Sequence, residues 1–155
     1  MRNNVPPPLL LKAAAVIAGA AALLVTGCGT GTSTLKFRCD RDVNGGTLLT
    51  VDVIRATESE VERIRALGEK WFYDSLRESL RDRTKTATFS QGDARCDKEV
   101  QIPVRKEDKF LVLIADYRFQ SPDPGRYLVV MPKDRWKKKT ISIQIHDREF
   151  NVVEP

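Results

Sequence analysis

The sequence predicts a mainly β protein: an antiparallel β-sandwich of seven to eight short strands, with one helical insertion after the second strand. Three observations carry this. From residue 35 onward, short runs alternate apolar and polar residues and are separated by Gly, Pro, Asn and Asp. One stretch, about 57–82, instead repeats its apolar residues in steps of three and four. Strands around a single helical segment, without internal repeats, fit one two-sheet domain.

Leu35, Phe37 and Cys39 alternate with Lys36 and Arg38, the period of a strand. Asp40 to Gly46 is turn-rich, with Asn44-Gly45-Gly46 its strongest signal. In Thr47 to Arg55, Leu49, Val51 and Val53 share one face and Asp52 takes the other; these first two strands are expected to be neighbours across their loop. Thr57-Glu58-Ser59-Glu60 opens the insertion as a capping box. Val61, Ile64, Leu67, Trp71, Phe72, Leu76 and Leu80 then line one face. Gly68, about 1 kcal/mol poorer than alanine in a helix, predicts a kink or a break. Arg63, Arg65, Arg77 and Arg81 are expected to face water among glutamates.

The period returns to two from residue 86. Ala87 and Phe89 mark a short strand, and Cys96, Val100, Ile102 and Val104 share the parity of the next. Phe110 to Ala115 is almost wholly apolar, which predicts a central strand buried on both faces. Ser121-Pro122-Asp123-Pro124-Gly125 breaks the chain, and Tyr127 to Met131 is a further strand. Pro132 to Lys139 reads as a loop. Ile141, Ile143 and Ile145 alternate with polar residues, Asp147-Arg148 turns, and Phe150 and Val152 lie on the last strand.

Residues 1–27 read as a signal peptide. Arg2 and Lys12 precede an alanine-rich apolar run from Ala13 to Thr26, and no acid occurs before Asp40. The run falls short of the roughly 20 residues that span a bilayer. It ends in Leu24-Val25-Thr26-Gly27-Cys28, which resembles the lipobox of bacterial lipoproteins. The resemblance implies cleavage before Cys28 and acylation of its thiol, so Cys28 is the candidate lipid-attachment residue. An uncleaved anchor, or cleavage with Cys28 incidental, are the alternatives. Gly29 replaces the aspartate that often marks inner-membrane retention, which points to the outer membrane, on its periplasmic face. The small polar run Gly29 to Thr34 makes residues 28–34 a flexible tether to a domain at 35–155.

Export leaves Cys39 and Cys96 as an even pair, which reads as a disulfide. Each shares the parity of apolar neighbours, as a bridge inside a sandwich requires. Closing this loop is worth roughly 4 kcal/mol in the chain-entropy model. Two free buried thiols are the alternative.

The net charge of +5 includes Arg2 and Lys12, so the exported part carries +3. Its charges are interleaved, which argues against a nucleic-acid partner. Two cysteines and the lone His146 offer no metal site, and no cofactor motif occurs. No catalytic constellation assembles either. His146 reads as a surface histidine. Ser90-Gln91-Gly92-Asp93 lacks the strand-to-helix setting of a nucleophile elbow. Asp116 with Arg118 reads as a structural pair. Trp136 followed by Lys137-Lys138-Lys139 reads as a solvated loop around a packed tryptophan, since three lysines fall short of the basic cluster that recognises anionic headgroups.

The order of these features resembles the TssJ family, the outer-membrane lipoproteins of type VI secretion systems. The similarity lies in Asn44 and Gly46 followed by Thr50-Val51-Asp52-Val53-Ile54-Arg55, in Trp71-Phe72 to Leu76, in Leu113-Ile114-Ala115-Asp116-Tyr117-Arg118, and in Phe150-Asn151-Val152. A Trp-Arg pair found in the family is replaced by Arg126-Tyr127. The resemblance implies a transthyretin-like sandwich and a structural adaptor, not an enzyme. Such an adaptor binds outer-membrane lipid through acylated Cys28 and the periplasmic domain of a TssM-like inner-membrane component. The family's first loop contributes to that contact, which makes Asp40, Arg41, Asp42 and Asn44 the candidate partner-binding residues, in a loop shorter than is usual. The alternative is a periplasmic lipoprotein that binds a small ligand or cell-wall fragment in an apolar cleft lined by Trp71, Phe72 or Trp136.

Overall fold

A computed structural model describes residues 31–41, 43–90, 96–118 and 122–153. Residues 1–27, the candidate Cys28, the start of the tether and Asp42 lie outside the described residues. The strands are β1 (Thr32–Cys39), β2 (Leu49–Ala56), β3 (Thr84–Phe89), β4 (Lys98–Pro103), β5 (Phe110–Ala115), β6 (Leu128–Pro132), β7 (Thr140–Ile145) and β8 (Phe150–Val153). They form two four-stranded sheets, ordered β4-β1-β7-β8 and β3-β2-β5-β6. Every pairing is antiparallel except β1 with β7, which run parallel.

The core lies between the sheets. Leu35, Phe37, Leu49, Val51, Val53, Leu111, Leu113, Ile143 and Phe150 are buried there, and Phe37 meets Phe89 with ring centroids 5.5 Å apart. Each such side chain contributes about 1.5–3 kcal/mol relative to exposure. Residues Leu111 to Ala115 of β5 are all fully buried, as their unbroken apolar run predicts. One face of β5 looks into the sandwich and the other lies under the helical insertion.

Two expectations are corrected. The first two strands are not neighbours: β1 and β2 lie in opposite sheets. Asn44, Gly45 and Gly46 adopt positive φ of 55°, 58° and 76°, which turns the chain out of the sheet. Alternation fixes which face a residue takes, not which strand lies beside it. Second, β1 starts at Thr32, so the predicted tether loses its last three residues to the strand. Ser33 is fully buried; its hydroxyl donates to the Trp136 carbonyl at 2.6 Å and accepts from the Lys138 amide at 2.9 Å.

Cys39 and Cys96 form a disulfide, with Cα atoms 5.4 Å apart. Both are half-buried, and the bridge joins the end of β1 to the segment entering β4. It therefore staples neighbouring strands of one sheet rather than crossing between sheets.

The insertion comprises α1 (Glu58–Leu67), a 3-10 turn from Gly68 to Tyr73, α2 (Ser75–Ser79) and a last 3-10 turn into β3. The Thr57 amide donates to Glu60 at 2.8 Å, so the capping box forms. The break falls at Gly68, whose φ of 52° suits glycine. Asp74 restarts the chain by accepting from the Leu76 amide at 2.8 Å.

What fixes this insertion to the sheet is a buried carboxylate. Asp52 of β2 is fully buried and accepts from Trp71 Nε1 at 2.9 Å, Arg77 Nε at 2.7 Å and Thr86 Oγ1 at 2.6 Å. Arg77, expected in water, is thus drawn inward, and its guanidinium also stacks 5.6 Å from the Phe72 ring. Hydrogen bonding to Asp52 raises its pKa further. A second buried pair, Arg55 with Asp108 at 3.4 Å, ties β2 to the β4–β5 loop, and Arg55 also donates to the Asp82 carbonyl at 3.1 Å.

Replacing Asp52 by alanine strands the buried Trp71 N–H and the Thr86 hydroxyl and unpairs Arg77. We expect a loss of about 3 kcal/mol in urea unfolding. A loss under about 1 kcal/mol would contradict this role. Burial raises the pKa of Glu60, but hydrogen bonds from Thr57 and Arg83 outweigh it and hold the carboxyl below its ordinary 4.5. A depressed pKa stabilises the fold above the ordinary value, and that contribution is lost as pH falls through the depressed one. Glu60→Gln should therefore be less stable at neutral pH and show a shallower acid limb in a pH series of melts; superimposable limbs would refute the assignment.

Candidate partner-binding end

The strand directions give the sandwich two distinct ends. β1 starts at one and, at about 3.3 Å per residue, reaches the other roughly 25 Å away. At the starting end lie Gly31, the β4–β5 loop and the β6–β7 loop. At the far end lie the β1–β2 loop, the Gly68 to Tyr73 turn, the residues after β5 and the β7–β8 turn.

The far end is knitted by Asn44. Its backbone N–H donates to the Asp147 carbonyl at 3.1 Å, its side-chain amide to the Leu48 carbonyl at 2.8 Å, and its Oδ1 accepts from the Arg118 amide at 2.6 Å. Gly45 N–H adds a bond to the Asp147 carboxylate at 2.6 Å. Three loops are thereby held in one arrangement. Of the candidate contact residues Asn44 is only 4% exposed, and its side chain is engaged within the loop. Asp40 and Arg41 are exposed. Asp40 accepts from Gln144 at 3.1 Å and pairs with His146 Nδ1 at 2.7 Å. That pair sits at the surface and acts as a link between β1 and β7.

Beside this loop runs an open groove of about 390 Å³, bordered by Leu48, Glu69, Tyr73, Asp116 and Arg118. Leu48 is 60% and Tyr73 87% exposed, the two largest apolar exposures among the described residues. Burial raises the pKa of Asp116, Arg77 draws it down, and the Asp52 charge raises it further. Asp116 thus couples to the Asp52 cluster beneath it. Tyr117 is buried, and its ionisation is pushed far up by burial and by Glu149, Asp147 and Asp40, so its hydroxyl stays neutral. The groove combines two exposed apolar side chains with both signs of charge.

Leu48 and Tyr73 were missed by pattern reading. Both are out of phase: Leu48 breaks the odd-numbered face of β2, and Tyr73 falls between the helical steps at Trp71 and Leu76. The aromatics proposed to line a ligand cleft lie elsewhere. Trp71 and Trp136 are fully buried in the core, Phe72 is half-buried, and none borders the groove at Leu48 and Tyr73. No group of three metal-ligating side chains occurs among the described residues, and none of their helices is long and apolar enough to cross a membrane.

No protein-family model and no curated protein sequence matches the chain. Solved structures do. The T6SS lipoprotein TssJ1 from Pseudomonas aeruginosa superposes with a TM-score of 0.60 at 11% identity, covering 81% of this chain and 98% of that one. The chain has the TssJ-like fold. Serratia marcescens Lip, a membrane-bound component of the type VI secretion system, gives 0.57 at 13% identity over 81% of this chain and 98% of that one. A chain in the structure of the T6SS protein TssM C-terminal domain (869-1107) from EAEC gives 0.64 at 13% identity over 80% of this chain and 98% of that one. A TssJ-like sandwich at such low identity is a shared scaffold.

Proposed function

We propose that the protein is a lipid-anchored structural adaptor of a type VI-like secretion complex. It is held to the outer membrane through acylated Cys28, and it binds the periplasmic part of a TssM-like inner-membrane component with its far end. The observation that carries this is the direction of β1. A strand that begins just after the tether ends about 25 Å away, so the Asn44 loop and the Leu48–Tyr73 groove face into the periplasm. Acyl chains supply the anchorage at about 0.8 kcal/mol per buried methylene. The partner contact draws on exposed Leu48, Tyr73, Asp40 and Arg41 rather than on buried Asn44.

The TssM structure supports this partner. Since 80% of this 155-residue chain covers 98% of the chain matched there, the matched chain is too short to be the whole 869–1107 domain. We take it as a TssJ-like companion of that domain. The reaction required of such an adaptor is none; its work is to hold two membranes' components in register.

The test is a titration of the exported chain with the periplasmic C-terminal domain of the TssM-like protein from the same genome. Leu48→Asp combined with Tyr73→Ala should weaken binding by at least about tenfold, the size of one interface hot-spot pair. Unchanged affinity in the double variant would move the contact off this end, and the absence of any binding by the unaltered chain would overturn the adaptor reading.

A further inference from the structure

The end opposite the groove gathers charge that the sequence keeps apart. The β4–β5 loop carries Arg105, Lys106 and Lys109, and the β6–β7 segment carries Lys133, Arg135 and Lys137 to Lys139. All eight are exposed except Lys133, which is half-buried because its ammonium donates to the Arg105 and Lys106 carbonyls and binds the two loops together. Three acids share these loops: Glu107, Asp134 and Asp108, the last turned inward onto Arg55. Eight basic against three acidic residues stand out in an exported chain whose whole net charge is +3.

The start of β1 lies between these loops. Gly31 accepts from the Val104 amide at 2.8 Å on one side, and Thr34 donates to the Lys139 carbonyl at 2.9 Å on the other. Gly31 is pressed against the Lys138 side chain so closely that a β-carbon would stand 2.3 Å from its Cε. Gly31 is only three residue steps from Cys28, a reach of at most about 10 Å. That is close to the Debye length of about 8–10 Å at physiological salt, so charges there still act on a membrane surface, and more strongly as salt is lowered.

We propose that this end is a docking surface for anionic phospholipid headgroups, seating the domain upright on the bilayer to which Cys28 tethers it. The proposal rests on the lipoprotein reading for the nearness of the membrane, but the surface itself is a property of the folded domain. Four to eight clustered Lys and Arg residues beside a membrane attachment are the pattern that recognises acidic lipid. The cluster becomes large enough only when the two loops are added. Trp136 is fully buried beneath it, so the contact is electrostatic and no aromatic side chain enters the lipid.

Residues 28–155 carrying Cys28→Ser, which removes the acyl site, are mixed with vesicles of phosphatidylcholine alone or with phosphatidylglycerol added. We expect sedimentation with the phosphatidylglycerol vesicles only, reversed by raised salt, without a shift in tryptophan fluorescence. Lys137→Glu with Lys138→Glu and Lys139→Glu should lower the partition coefficient at least about tenfold. Arg63→Glu with Arg65→Glu and Lys70→Glu, the same charge change on the exposed face of the insertion, should leave most of the binding; circular dichroism checks that both variants fold. No binding to phosphatidylglycerol vesicles at low salt, equal binding to both vesicle types, or equal loss in the two triple variants would overturn the proposal. Because the tested chain bears no lipid and meets no partner protein, failure here leaves the adaptor reading standing, and failure of the adaptor titration leaves this one.

Discussion

The placement of β1 is the constraint on which the rest depends. It is held on both flanks, antiparallel to β4 and parallel to β7, and its inward residues Leu35 and Phe37 sit at the centre of the core. A strand so bound cannot tilt or slip without breaking two ladders and moving its inward side chains to the wrong face. Its first residue therefore fixes where the tether leaves the domain, and its last fixes where the Asn44 loop stands. The disulfide at Cys39 locks the same strand to its neighbour at the far end. The two ends of the molecule, one basic and one carrying the exposed groove, inherit their orientation from this strand.

The second sheet solves a different problem. Its inner face packs on the first sheet, and its outer face is covered by a broken insertion with little regular helix of its own. Short helices are marginal in isolation. Here Val61, Ile64, Trp71, Leu76 and Leu80 bury an apolar face, and Asp52 fixes its position by binding one residue from each of the 3-10 turn, α2 and β3. A carboxylate with three donors specifies one arrangement where hydrophobic contact alone would tolerate several. The same cluster reaches toward the groove, since Asp116 feels both Arg77 and Asp52. Tyr73, on the groove, thus lies on a segment held from below by Asp52.

Much of this was legible in the chain. Alternation at Leu35–Cys39, at Leu49–Val53 and at Ile141–Ile145 gave strand and face, the unbroken run Phe110–Ala115 gave the central strand, and Thr57, Glu60 and Gly68 gave the start and the break of the insertion. What escaped depends on residues distant in sequence. Period two does not say which strand lies alongside, and β1 and β2, adjacent in sequence, belong to opposite sheets. Thr32-Ser33-Thr34 carries no apolar residue and gave no strand signal, although Ser33 is held by the Trp136 carbonyl 103 residues away. Arg77 looked solvated because its partner Asp52 lies 25 residues earlier. The turn at Asn44 is legible from Asn44-Gly45-Gly46, but the bonds of its side chain to Leu48 and to the Arg118 amide, 74 residues on, are not. The basic end was invisible for a related reason: neither contributing loop is basic enough alone.

The most direct measurement is made on the acylated chain in a nanodisc whose lipid headgroups bear a paramagnetic label. Amide resonances of residues 105–109 and 133–139 should broaden strongly, while those of Asn44, Leu48 and Tyr73, about 25 Å farther out, remain sharp. Uniform broadening, or broadening that is strongest at the Asn44 loop, would contradict an orientation set by β1.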